Sequence, residues 1–100
     1  MKVDICANQE GVIDNVTIAK CLWTLAVEEQ DADICRKIET NRVERYFCLG
    51  DVGGALGQPF LCNESINDYT LKLCLEHFID TTQNTFAVCS NPNWARLMNC

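Results

Sequence analysis

The sequence has few of the residues on which catalytic and metal sites are usually built. Its 100 residues include one histidine, His77, and two prolines, and 14 acidic against 8 basic residues leave a net charge of −6. Nucleic acids and anionic membrane surfaces attract basic proteins, so this charge disfavours both as partners. The chain also lacks an uninterrupted apolar run of about 18 residues, and we therefore expect no membrane-spanning helix.

Cysteine, by contrast, is abundant: eight in 100 residues is a share typical of disulfide scaffolds. No two cysteines lie as close as the two to four positions or so that structural zinc sites use, which argues against zinc. The even count instead predicts four intrachain disulfides, whose pairing the sequence leaves open. The predicted disulfide residues are Cys6, Cys21, Cys35, Cys48, Cys62, Cys74, Cys89 and Cys100.

Disulfides persist in oxidising compartments, so we expect a secreted, extracellular protein. Two N-glycosylation sequons, which begin at Asn15 and Asn63, fit that setting and predict a glycoprotein. The first residues carry no apolar run of signal-peptide length. We therefore interpret Met1 as an expression start on a mature chain whose signal is absent.

Apolar periodicity predicts a single compact all-α domain over residues 1–100, with four or five helices stapled by the four disulfides. The strongest pattern covers residues 12–29, where Ala19, Trp23 and Ala26 recur at helical spacing. We expect this helix to be largely buried and to end near Glu29, because carboxylates are unfavourable at a helix C-terminus.

Three further helices are predicted. One begins at Asp31 or Asp33 and runs to about Phe47, and another is capped by Asn63 or Ser65. A last short helix begins at Asn91, with a proline in its first turn. The predicted apolar face of the helix after Asn63 consists of Ile66, Tyr69, Leu73, Cys74, Leu75, Phe78 and Ile79.

Residues 48–62 contain four glycines and Pro59, which lower helix stability, so we predict a structured surface loop. Binding residues concentrate on loops of rigid scaffolds. Leu49, Val52 and Leu56 are accordingly predicted to bind a partner. Phe60 and Leu61 either join that surface or fold back into the core.

Other chemistries have weaker support. Cys74 and His77 have a spacing that suits a shared metal, but a bridged cysteine beside a surface histidine explains the pair as well. The acidic cluster over residues 28–33 lacks the glycine and closing glutamate of a calcium-binding EF-hand. No nucleophile motif and no phosphate-binding motif is present. We predict no catalytic residue, no metal and no cofactor.

Asp4, Ile5 and Cys6, followed by a helix over residues 12–21 that carries the second cysteine, resemble microplusin-type antimicrobial proteins of ticks. The resemblance covers about the first third of the chain. It implies a small, secreted, disulfide-bonded helical fold. This chain has eight cysteines where that family typically has six, and it lacks the histidine-rich segment that supplies copper ligands, so no metal-ligand position carries over.

Together these features predict a secreted, non-catalytic protein that acts by surface binding, in a defence, toxin-like or signalling role. We expect a monomer whose partner is an extracellular protein or another macromolecule. The alternative is a carrier of a small apolar ligand such as a lipid or an odorant. Trp23 and Trp94 would then line a pocket, whereas otherwise they fill the core.

Overall fold

The computed structural model describes Cys6 and residues 15–100. This part of the chain is built from helices joined by turns, without a strand, so the predicted all-α class is confirmed. The α-helices are α1 (Asn15–Glu29), α2 (Ala32–Cys35), α3 (Val43–Leu56), α4 (Asp68–Thr82), α5 (Thr85–Cys89) and α6 (Pro92–Met98), with a 3-10 helix (Pro59–Glu64) between α3 and α4.

The long helices α1, α3 and α4 form the centre of the molecule, and α3 packs against both of the others. Tyr46, Leu49 and Val52 of α3 are fully buried, as are Leu75 and Phe78 of α4. Ala19, Leu22 and Ala26 of α1 are also buried, as the periodicity over residues 12–29 predicts. Aromatic and aliphatic side chains from three helices therefore share one core.

The region after α1 differs from the prediction. Asp31 does cap a helix, because its carboxylate accepts a hydrogen bond from the Asp33 amide at 2.9 Å. That helix, α2, ends after one turn, and the predicted helix to Phe47 is wrong. The guanidinium of Arg45 donates to the carbonyl oxygens of Arg36 and Ile38, each at 3.0 Å. These bonds hold a turn between α2 and α3 where the predicted helix would continue.

The predicted loop over residues 48–62 is also wrong, because α3 continues as a helix to Leu56. The helix ends at Gly57, which adopts a left-handed conformation with φ of 67°. The Gly57 amide donates to the carbonyl of Gly54, and the next amide donates to that of Gly53 at 2.7 Å. This pattern is a Schellman C-cap, in which glycine is favoured because it has no Cβ.

The glycines inside α3 permit a close approach of α4. A Cβ on Gly50 would clash with the carbonyl oxygen of Cys74 and would lie 2.7 Å from Cβ of His77. A Cβ on Gly54 would lie 2.7 Å from Cβ of Thr81. Each glycine lowers intrinsic helix stability by about 1 kcal/mol, but tertiary packing commonly overrides such a preference.

Helix α4 begins at Asp68 rather than near Asn63 or Ser65. The Asn67 side chain accepts from the Thr70 amide at 2.8 Å, and the Thr70 hydroxyl accepts from the Asn67 amide at 3.2 Å. This reciprocal capping box satisfies two amides that have no partner within the helix. The predicted cap at Asn91 is confirmed, since its side chain accepts from two amides of α6.

All eight cysteines form disulfides, as predicted. Each cysteine pairs with the next in sequence, across separations of 11 to 15 residues: Cys6–Cys21, Cys35–Cys48, Cys62–Cys74 and Cys89–Cys100. The disulfides therefore join neighbouring segments, and none crosslinks α1 to α3 or α4. Four disulfides in a domain of this size are compatible with an extracellular protein. Within Cys6 and residues 15–100, no helix has the length and apolar character needed to cross a membrane.

Candidate partner-binding surface

Two of the three predicted partner-binding residues are unavailable to a partner. Leu49 and Val52 are fully buried, because α3 is a helix whose inner face includes both positions. Leu56, on the last turn of α3, is 39% exposed. The prediction was wrong for Leu49 and Val52 because it assumed a loop.

Most exposed apolar side chains instead lie close together in sequence, from the last turn of α3 to the first turn of α4. Four of the six large hydrophobic residues that are exposed in the described part of the chain fall within residues 56–69. We call these four residues the 56–69 surface: Leu56, Phe60, Ile66 and Tyr69. Phe60 and Ile66 are each 57% exposed and Tyr69 is 64% exposed, while the other two residues, Val27 and Phe86, lie on α1 and α5.

The 3-10 helix turns Phe60 outwards. Pro59 occupies its first turn, and Leu61 and Cys62 are buried against the core. Of the two residues whose placement the sequence left open, Leu61 thus joins the core and Phe60 joins the surface. The Cys62–Cys74 disulfide fixes this helix to α4.

An ion pair holds the same segment to α2. The Arg36 side chain donates from Nε to both carboxylate oxygens of Glu64, at 2.9 and 3.1 Å, and Nη2 forms a further bond. These hydrogen bonds lower the pKa of Glu64 below its ordinary value. The 56–69 surface is therefore held to the rest of the molecule by the Cys62–Cys74 disulfide and by the bidentate Arg36–Glu64 ion pair.

The outward position of Tyr69 follows from the register of α4. Nine residues at about 100° each place Tyr69 on the opposite side of the helix from the buried Phe78. The predicted apolar face of this helix is therefore wrong for Tyr69, and for Ile66, which precedes the helix. The angular distance from Phe78 was the sequence signal that could have identified Tyr69 as exposed.

The segment that carries the surface has no basic residue of its own and adjoins a shallow cleft. Residues 56–69 include Glu64 and Asp68 but no lysine or arginine. A cleft of about 220 Å³ adjoins Ile66 and also contacts Leu71. The sequon residue Asn63 lies at the same cleft and is exposed, so its predicted glycosylation is sterically allowed. The side chain of Asn15, the other sequon residue, lies outside the described part of the chain.

A second cluster, which the sequence did not predict, joins α1, α3 and α4. Asp51 accepts a hydrogen bond from Nε1 of Trp23 at 2.8 Å, and its other oxygen lies 2.9 Å from Nδ1 of His77. The Thr81 hydroxyl also donates to Asp51, at 3.3 Å. The imidazole stacks on Phe47 with ring centroids 4.4 Å apart. One carboxylate thus connects side chains from all three central helices.

A histidine held by a carboxylate is also the arrangement of a general base, so its surroundings decide its role. The neighbouring hydroxyl, that of Thr81, donates to Asp51 rather than to His77, and every cysteine is in a disulfide. In this cluster no nucleophile is therefore positioned for activation by His77. The geometry favours a structural role, in which the carboxylate fixes the orientation of three side chains.

The metal alternatives weighed from the sequence are not supported by the positions of their residues. Cys74 is bonded to Cys62, which removes its thiolate as a partner for His77. In the acidic cluster, Asp31 caps α2 and Asp33 pairs with Arg36. Among the residues that the structure describes, no three His, Cys, Asp or Glu side chains lie together as a metal site.

Comparison with known proteins identifies no relative. No protein-family model, no curated protein sequence and no solved structure matches the chain. The function must therefore be inferred from the surfaces and clusters described above.

Proposed function

We propose that this is a secreted, non-catalytic protein that binds an extracellular protein through the 56–69 surface. The single observation that carries the proposal is the concentration of exposed apolar side chains in residues 56–69. Contiguous exposed apolar side chains commonly mark interaction sites, and the proposal is that these four, which are close in sequence, form such a patch. Phe60 and Tyr69 are the residue types that often dominate binding energy at protein interfaces.

The attachment of residues 56–69 to α4 and to α2 supports the same proposal. The Cys62–Cys74 disulfide and the Arg36–Glu64 ion pair restrain the segment before a partner arrives. A preorganised surface loses less conformational entropy on binding. Glu64 is already paired with Arg36, so Asp68 is the one remaining charged side chain of residues 56–69, and the complementary partner surface is mainly apolar.

The disulfide-bonded helical domain, rather than the 56–69 surface, indicates the biological setting. Disulfide-stapled helical domains suit defence, toxin-like and signalling roles outside the cell, and all three remain open. The resemblance of the first third of the chain to microplusin-type proteins favours defence among them. We expect the free protein to be monomeric and the sequon at Asn15 to carry a glycan. A glycan on Asn63 would lie at the cleft beside Ile66 and would compete with a partner there.

The test compares two surface variants against a partner captured from the extracellular fluid of the source and then purified. The first variant combines Phe60→Ser, Ile66→Ser and Tyr69→Ser. The control combines Val27→Ser and Phe86→Ser, which removes exposed apolar side chains elsewhere.

We expect the first variant to weaken binding by at least about tenfold in a titration, because anchor residues of an interface are each worth more than about 1 kcal/mol. The control should stay within about twofold of wild type. Equal binding by the first variant, with its helical circular dichroism retained, would exclude the 56–69 surface as the binding site.

A further inference from the structure

A second candidate site lies between α1 and the turn that follows α2. It is a cleft of about 210 Å³ with an apolar floor. Ala19, Leu22 and Ile38 are buried residues of that floor, and Ile18 is half-buried beside them. An apolar cavity of about 150 Å³ accommodates benzene, so this volume suits a single ring or a branched aliphatic side chain.

Charged side chains of both signs stand around the cleft. Lys37 and Glu39 line it and are exposed, and neither side chain forms an ion pair or hydrogen bond with the described residues. Arg42 also lines it, but its guanidinium is engaged by Glu44 through Nε at 3.1 Å. The cleft therefore combines an apolar floor with one unpaired cation and one unpaired anion.

We propose that this cleft binds a free amino acid with an apolar side chain. The side chain would occupy the floor formed by Ile18, Ala19, Leu22 and Ile38. The α-carboxylate would pair with Lys37 and the α-ammonium with Glu39. A ligand with only one of these charges leaves the opposite group of the cleft without a partner, and a purely apolar ligand leaves both.

This site is separate from the proposed partner-binding surface and does not depend on it. It also differs from a lipid or odorant carrier, which would hold its ligand between the helices of the core. A site of this volume fits a molecule of amino-acid size. Because the cleft is open to solvent, we expect weak binding, with a dissociation constant on the order of 1 mM.

The test uses three probes that share a ring: L-phenylalanine, phenylacetate and phenethylamine. They are titrated into the full-length oxidised protein, labelled with 15N and 13C, and followed by chemical-shift changes. L-phenylalanine should give saturable shifts at the methyl groups of Ile18 and Leu22 and at the amides of residues 37–39. Phenylacetate and phenethylamine should each bind about two- to fivefold more weakly, the range expected for one exposed ion pair.

Two variants test which side chain of the cleft binds which charged group of the ligand. In Lys37→Gln, L-phenylalanine should lose its advantage over phenethylamine, while in Glu39→Gln it should lose its advantage over phenylacetate. Lys72→Gln and Glu76→Gln, at exposed positions of α4, are matched controls that should leave all three affinities unchanged.

Saturable shifts centred on another part of the protein would overturn the proposal, as would their absence at the solubility limit of L-phenylalanine. Binding of L-phenylalanine no tighter than that of both fragments would overturn the charge assignment and with it the proposed ligand class.

Discussion

The central helices and the C-terminal pair of helices are stabilised in different ways. In the centre, α1, α3 and α4 share a core, and Asp51 connects side chains from all three, yet no disulfide links these helices to one another. In residues 85–100, α5 and α6 contribute only two buried side chains to the same core, Val88 and Trp94, and are joined by Cys89–Cys100. The main contacts of this pair with the rest of the molecule are with α4.

The comparison indicates where a disulfide matters most. A small unit cannot bury enough apolar surface to offset the conformational entropy of its chain, so it depends on a covalent constraint. The centre buries several large side chains on interlocking helices and depends less on its disulfides. Removal of a disulfide should therefore unfold the C-terminal pair of helices but leave the centre folded.

The largest effect is expected from removing the C-terminal disulfide with Cys89→Ala and Cys100→Ala. Closing a loop of this length stabilises a chain by about 3 kcal/mol. Burial of Val88 and Trp94 contributes about 1.5–3 kcal/mol each, which without the disulfide is too little to offset the conformational entropy of residues 85–100. Residues 85–100 should unfold while the centre stays folded. Limited proteolysis with mass spectrometry should then find cleavage confined to residues after Gln83.

The matched variant, Cys35→Ala with Cys48→Ala, lies in the centre. It should lose a similar free energy of unfolding but retain its helices at 25 °C. Unfolding of the whole protein in the C-terminal variant, or no new cleavage there, would contradict the separation of the two regions.

Gly50→Ala should destabilise the centre by about 2–3 kcal/mol. Helix propensity alone predicts the opposite sign, a gain of up to about 1 kcal/mol. The new Cβ would clash with backbone of α4, and backbone can yield only by moving the helix. Urea unfolding measures the difference, and a stabilised variant would show that α3 and α4 are farther apart.

Gly54→Ala tests the close approach of α3 and α4 at a second position. Its Cβ would lie 2.7 Å from Cβ of Thr81, an atom that side-chain rotation cannot move, but its nearest contacts do not include backbone of α4. The cost should therefore be smaller than at Gly50, at about 1–2 kcal/mol.

These glycines show how much of the fold the sequence allowed us to predict. Cysteine count and apolar periodicity predicted the helical class and the four disulfides, and the acidic cluster over residues 28–33 predicted the end of the first helix. The glycines of α3 misled the prediction because their role depends on α4, which lies far along the chain. The spacing of Gly50 and Gly54, four residues apart on one helix face, was the available sign of close packing.

The binding surface could be predicted less well. Leu56 was chosen correctly as an exposed residue, but Leu49 and Val52 were chosen as loop residues and lie in the core. The exposure of Phe60 depends on how the short 3-10 helix is oriented against the core. The local sequence does not determine that orientation. The cluster around Asp51 brings together three helices, and residues distant in sequence meet there only after folding.

Trp23→Phe should cost about 1–2 kcal/mol, because it removes the hydrogen bond to Asp51 and leaves the carboxylate with one donor fewer. The ring remains to contact Phe47 and His77. A double-mutant cycle with Asp51→Ala isolates the bond in thermal unfolding. Strictly additive losses would contradict a direct interaction of the two side chains.

The smallest effect concerns Glu64, whose pKa is lowered by hydrogen bonds from Arg36. A lowered pKa in the folded state contributes stability above the ordinary value of about 4.3, and this stability is lost as the pH falls through the lower folded value. Both side chains are partly exposed, so the contribution should be below about 1 kcal/mol.

Glu64→Gln should therefore be less stable than wild type at pH 7, and the difference should shrink by pH 3. Urea unfolding at the two pH values measures it, with Glu76→Gln as an exposed control on α4. A difference that is the same at both pH values would contradict the ion pair.

Native-state hydrogen exchange of the intact oxidised protein tests the difference between the two regions most directly. Amides in the middle of α3 and α4, such as those of Leu49 and Leu75, should exchange only through global unfolding. Amides of α6, such as that of Ala95, should exchange at least about tenfold faster, through local opening of residues 85–100. Equal protection of Leu49 and Ala95, with the same dependence on denaturant, would show that the molecule is one cooperative unit and would contradict the distinction.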